Sequence, residues 1–109
     1  MVERMTTLST HILDTSLGQP AAGVTIHLLH PNQQTETHIS DPGGRCRIPT
    51  SLSPGIYTLT FHTGPYFAAR NQPTLYPQVS ITFTIEPNQP HYHIPLLLNP
   101  YGYTTYRGS

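Results

Sequence analysis

The sequence predicts an all-β fold, a two-sheet β-sandwich of about eight strands with one short helix. Three observations carry that expectation. Residues 23–29 (GVTIHLL) and 78–86 (QVSITFTIE) alternate apolar and polar side chains, the two-residue period of a half-buried strand. Similar runs recur at roughly the 8–12-residue spacing of a sandwich. Twelve prolines and eight glycines fall mostly between them, and no stretch is long enough for the helical crossover of a parallel sheet.

Residues 8–14 (LSTHILD) form the first expected strand, and residues 15–22, with Gly18 and Pro20, read as a loop. In 23–29, Val24, Ile26 and Leu28 share one face, and Thr25, His27 and Leu29 the other. Pro31 begins a break over 31–34, and the polar run 35–40 suits an edge strand. Asp41-Pro42-Gly43-Gly44 is a turn, because Pro presets φ and the glycines tolerate φ > 0. Residues 45–48 make a short strand with Arg45 and Arg47 on one face and Cys46 on the other, as a small core residue. Residues 49–55 are rich in Ser and Pro and read as a loop. Residues 56–63 alternate again and are β-branched or aromatic almost throughout. The one plausible helix is 65–71, at most about two turns; 72–77 is irregular. In 78–86, Val79, Ile81, Phe83 and Ile85 share a side. Two last strands, 92–98 and 102–106, are joined through Asn99-Pro100-Tyr101-Gly102.

A chain of 109 residues suits a single domain spanning 1–109. Its hydrophobic fraction, 36%, is low for a chain that must bury its own faces, and burial between subunits would supply the difference. Only 9% of residues are charged and the formal net charge is zero, so neither a nucleic-acid backbone nor an anionic membrane is an expected partner. No apolar run approaches the ~18 residues of a membrane helix, and the N-terminus lacks the apolar core of a secretory signal. The single cysteine, Cys46, excludes an intrachain disulfide and fits a reducing compartment. A cytoplasmic location is expected. The alternative is the peroxisome, since Arg4-Met5 and His11-Ile12 stand at the spacing of a peroxisomal address; His11 has a competing role, below.

Seven histidines are many for this length. His27, His30, His38 and His62 carry no partner signal and read as surface or satisfied structural residues. His91 and His93, two apart, share a strand face, with Tyr92 opposite. With His11 they permit two chemistries: a three-His zinc site, or metal-free general acid–base work on a small polar ring held by an arginine. Packing of His93 in an interface is a third possibility. Arg45, directly after Gly43-Gly44, is a candidate bidentate anchor, but the pattern does not choose between it and Arg47.

LSTHILD, PAAGVTIHLL, the G-x-Y-x-L-x-F-x-T-G-x-Y-F run from Gly55, YPQVSITF and above all HYHIPLLLNPYGYTTYRGS resemble the 5-hydroxyisourate hydrolases, transthyretin-related enzymes of purine and urate catabolism. The terminal YRGS distinguishes those enzymes from the hormone-carrying transthyretins. The resemblance implies a transthyretin-like sandwich of two four-stranded sheets and a homotetramer, a dimer of dimers with sites at the dimer–dimer interface. It implies hydrolysis of 5-hydroxyisourate to 2-oxo-4-hydroxy-4-carboxy-5-ureidoimidazoline, with no metal and no organic cofactor. The His of the family's S-x-H-[IV]-L-[DN] motif falls on His11, the Arg of its D-G-R turn on Arg45, and the second His of HYH on His93. The final tetrapeptide falls on Tyr106, Arg107, Gly108 and Ser109. The resemblance thus implies catalysis by His11, Arg45, His93 and Ser109, with substrate binding by His11, Arg45, Tyr106, Arg107 and Gly108. One departure stands out: Gly43 occupies the place of an acidic residue, which bears on how Arg45 approaches. The alternative function is a transthyretin-type carrier of a small aromatic ligand.

Overall fold

A computed structural model describes residues 5–109. Its elements are β1 (Thr6–Asp14), β2 (Gln19–Pro20), β3 (Thr25–Leu29), β4 (Thr35–Ile39), β5 (Arg45–Leu52), β6 (Gly55–Phe61), α1 (Thr63–Ala68), β7 (Val79–Ile85), β8 (His91–Asn99) and β9 (Gly102–Thr105). Two sheets face each other. One has the order β4-β3-β6-β7; the other runs β2-β1-β8-β9, with β5 also on β1. The second sheet therefore has five strands rather than four, because β2 and β5 share one edge of β1: β2 takes Leu13 and Asp14, and β5 takes the N-terminal part. Arg4, part of the candidate address, lies outside the described residues. No helix among the described residues is long and apolar enough to cross a membrane.

The core fills the space between the sheets. Leu8 and Ile12 of β1, Ile26 and Leu28 of β3, Leu59 of β6 and Leu96 of β8 are fully buried, each contributing about 1.5–3 kcal/mol by leaving water. Alternation works as expected: β1 buries every second residue from Thr6 to Asp14 and leaves Thr7, Ser9, His11 and Leu13 on the outer face. Thr10 is buried with them and donates its hydroxyl hydrogen to the Ile94 carbonyl at 2.6 Å. On the opposite sheet, Thr58–Thr82 and Thr60–Ser80 hydroxyl pairs cross from β6 to β7 at 2.9 and 3.0 Å.

Further expectations need correction, beginning with β2, which lies inside the expected 15–22 loop. Residues 49–52, expected as loop, belong to β5. Leu8 faces Ile48 and Thr6 faces Leu52, so two steps along β1 match four along β5; a bulge absorbs Pro49, which an edge strand tolerates because its missing N–H is not required. The helix starts two residues earlier than expected, at Thr63, with Pro65 in its first turn, where a missing N–H costs nothing. The Tyr66 hydroxyl donates to the buried Asp14 carboxylate at 2.8 Å and fixes α1 to the end of β1; burial and that contact push the Tyr66 phenol up to about 12.

Candidate active site

Three strands place the candidate residues on one face. β1 pairs antiparallel with β5 and parallel with β8, and residues directly opposite in a ladder share a face. His11 is opposite Arg45, Ser9 is opposite both Arg47 and His93, and Thr7 is opposite His91. All lie on the outer surface of the five-stranded sheet, while Cys46 and Tyr92 point into the core.

The turn before β5 aims Arg45 and fixes His11. Asp41 Oδ1 accepts from the amides of Gly43 (2.9 Å) and Arg45 (2.8 Å). Gly44 has φ +73, and a Cβ there would stand 2.4 Å from the Ile12 carbonyl oxygen, so only glycine lets the turn close against β1. The Gly43 carbonyl accepts from His11 Nε2 at 3.0 Å. A carbonyl can only accept, so Nε2 carries the hydrogen of the neutral ring and Nδ1 keeps the lone pair. The acidic residue that the resemblance places at position 43 is thus not needed to shape this turn. A side chain there would meet only ordinary contacts: a Cβ would lie 3.4 Å from Asp41 Oδ1 and 3.9 Å from Arg45 Nη1.

The C-terminal tail returns to this face. After β9, the Gly108 N–H donates to the His93 carbonyl at 2.7 Å, an isolated antiparallel bridge. Gly108 lies against the His93 ring, which leaves no room for a side chain. Ser109 follows Gly108 at once and is exposed, as are Tyr106 and Arg45. Arg107 turns elsewhere: its guanidinium sits 4.3 Å from the Tyr92 ring centroid and donates to Gln89 Oε1 at 3.2 Å.

Around His93 the sequence reading named His91 but missed two participants, Thr7 and Ser9. Ser9 Oγ contacts His93 Nδ1 at 2.8 Å and His91 Nε2 at 2.9 Å, and Thr7 Oγ1 contacts His91 Nδ1 at 2.6 Å. The signal was there in the alternation of Thr7, Ser9 and His11, but a Thr-Ser face usually marks a plain solvated surface. Burial holds the His93 imidazole below its ordinary range; His91, His11 and Arg45 push the same way, and a hydrogen bond to the Ser9 backbone offsets them only in part. A neutral His93 is a ready proton acceptor near neutral pH. The three-His zinc arrangement does not assemble: among the described residues no three His, Cys, Asp or Glu side chains group as metal ligands.

The remaining histidines are structural. His30 and His38 both contact the Glu36 carboxylate, which also accepts from Thr50 across the sheet gap, and His27 meets His62 at 3.0 Å. Two cavities, of about 410 and 490 Å³, lie beside α1 and at the β3–β6 end, away from His11, Arg45 and His93.

Residues 8–108 match the HIUase/Transthyretin family. A mouse protein named 5-hydroxyisourate hydrolase is 41% identical, with all of each chain covered. The solved structure of 5-hydroxyisourate hydrolase from Klebsiella pneumoniae is 39% identical and superposes with a TM-score of 0.88 over 96% of this chain and 100% of that one. Sea bream transthyretin, solved in complex with thyroxine, is 25% identical with a TM-score of 0.79, covering 93% of each chain.

Proposed function

The chain belongs to the HIUase/Transthyretin family, and we propose from its outer-face cluster that it hydrolyses 5-hydroxyisourate, opening the ring to 2-oxo-4-hydroxy-4-carboxy-5-ureidoimidazoline. The observation that carries this is the register: His11 opposite Arg45, Ser9 opposite His93, and Gly108 bridged back onto His93. His93 Nε2 takes a proton from water as its oxygen adds to the cyclic amide carbonyl, and returns one to the leaving nitrogen. His11, with Nδ1 as its free acceptor, orients the water or the ring. Arg45 holds the carbonyl oxygen and offsets the negative charge that develops on it. Ser109 and Tyr106 close the pocket from the tail. General acid–base help of this kind contributes on the order of 10²–10⁴-fold.

A homotetramer, as a dimer of dimers, completes the site. Leu17, Tyr101 and Tyr106 are at least half exposed on a chain with zero net charge, which favours self-association. The face itself is open in one protomer and gains walls when a second copy covers it.

The test follows ultraviolet decay of freshly generated 5-hydroxyisourate in chelator, with parent protein, His93→Ala and Arg45→Ala. The expected result is rapid decay with the parent and at least about 100-fold slower decay with either variant, at unchanged tetramer mass by light scattering. A transthyretin-type carrier would bind ligand without speeding decay. Parent-like rates in both variants would remove these residues from the site.

A further inference from the structure

Thr7, His91, Ser9 and His93 form one unbroken chain of hydrogen bonds along the outer face, with contacts of 2.6, 2.9 and 2.8 Å. Hydroxyls alternate with imidazoles, so every link can donate in either direction. We propose that this chain is a proton relay serving His93, which makes Ser9 and His91 positioning residues of the reaction. The proposal rests on the hydrolase function given above.

The hydrogens can be followed link by link. In the resting direction His93 Nδ1–H donates to Ser9 Oγ, Ser9 O–H to His91 Nε2, and His91 Nδ1–H to Thr7 Oγ1. The Thr7 hydroxyl hydrogen then points to the Pro90 carbonyl, 3.3 Å away, or to solvent, which Thr7 reaches. His93 Nε2 is left with a lone pair. When Nε2 takes a proton from the attacking water, Nδ1–H passes to Ser9, the Ser9 hydrogen to His91 Nε2, and the His91 Nδ1 hydrogen to Thr7, whose own hydrogen leaves to solvent. Each atom ends with the number of hydrogens the reversed chain requires, and neither ring is left cationic. Donation of Nε2–H to the leaving nitrogen runs the chain back, with a proton entering at Thr7.

The surroundings explain the use of such a device. His93 is faced by His11 from β1, His91 on its own strand, and Arg45 and Arg47 from β5. From the tail, the Gly108 backbone bonds to His93 and Ser109 follows it. Among the described residues no Asp or Glu side chain faces His93 to stabilise an imidazolium. A ring that gains a proton at one nitrogen while losing one at the other never has to become one. The same chain ties the tautomer of His93 to that of His91, since Ser9 is the sole hydrogen-bond partner of the His93 ring among the described residues.

The experiment combines rates with ¹⁵N spectra of the imidazole nitrogens in the full-length protein. Ser9→Ala and His91→Gln should each lower kcat by about ten- to hundred-fold with KM within about twofold of the parent. The double variant should be no slower than Ser9→Ala alone, because both cut one chain. Ser9→Thr, which keeps the hydroxyl, should recover most of the rate. In Ser9→Ala the His93 Nδ1 and Nε2 shifts should move toward the averaged values of an unheld imidazole. Parent-like kcat and parent-like His93 shifts in Ser9→Ala, or multiplying losses in the double variant, would overturn the relay while leaving the hydrolase assignment intact. A parent protein that does not accelerate 5-hydroxyisourate decay would instead overturn the hydrolase assignment and, with it, the relay's role.

Discussion

Gly108→Ala tests the packing of the tail on the catalytic face. The added Cβ would lie 2.6 Å from His93 Cδ2, 3.2 Å from Pro95 Cγ and 3.3 Å from His93 Cγ. Carbon atoms rest at about 3.5–4.0 Å, so roughly 1 Å must be found. Little nearby can give way: Pro95 is a buried ring in β8, and the imidazole is tied through Nδ1 to Ser9. Either His93 rotates or the tail lifts, and the 2.7 Å bond from the Gly108 amide weakens. A misplacement near 1 Å at a reacting group costs on the order of 10²-fold, or roughly 3 kcal/mol in the barrier. The lost bridge costs no more than about 1.5 kcal/mol of folding stability. Steady-state decay of 5-hydroxyisourate and a thermal melt measured together should therefore show a large fall in kcat/KM beside a small fall in Tm. A variant that keeps the parent kcat/KM would refute the argument, because its tail could not then be seated on the His93 ring during turnover.

Other outcomes follow from the same geometry. Because the His93 pKa is lowered by burial and by His91, His11 and Arg45, the acid limb of the pH–rate profile should fall below the ordinary histidine value of 6.5; a limb above 6.5 would contradict it. In the unfolded chain His93 binds its proton at higher pH than in the folded one. It therefore favours folding fully above 6.5 and loses that contribution as pH falls toward the lowered folded value, a loss that melts of His93→Gln should lack. Burial raises the Glu36 carboxyl, but hydrogen bonds from His38, His30 and Thr50 outweigh it and leave its pKa below 4.5. Its contribution is complete above 4.5 and lost as pH falls through the lower folded value, so Glu36→Gln should reduce stability by about 1–3 kcal/mol in denaturant titrations at pH 7 and flatten the acid dependence. Gly44→Ala, with its Cβ 2.4 Å from the Ile12 carbonyl, should lower soluble yield and Tm sharply, whereas Gly43→Ala should leave both near the parent values.

The strands were legible where period two was clean. Val79–Ile85 and the Val24, Ile26, Leu28 face appear as expected, as does the polar edge strand β4. What escaped depends on pairing rather than on local sequence. Nothing in Gln19–Pro20 announces a strand; it is one only because Leu13 and Asp14 lie across from it. Pro49 argues for a loop until a bulge on an outer edge makes room for it. The same holds for the site. His11, Arg45 and His93 could be named from motifs, yet that Arg45 rather than Arg47 stands opposite His11 is a matter of register. The roles of Thr7, Ser9 and His91 need a parallel partner 84 positions away, which no window of sequence contains.

That parallel pairing of β1 with β8 sets a schedule for biosynthesis. At about 5–20 residues per second, a ribosome needs roughly 4–17 s to cover the 84 positions between partners. For that interval one long side of the first strand has no neighbour, and an unmated strand is an invitation to other nascent chains. Closure by so distant a contact is also intrinsically slow, on the millisecond-to-second scale. The surface that performs the chemistry is thus the last seam of the domain to be sewn, and damage to β8 will register first as aggregated product in the cell.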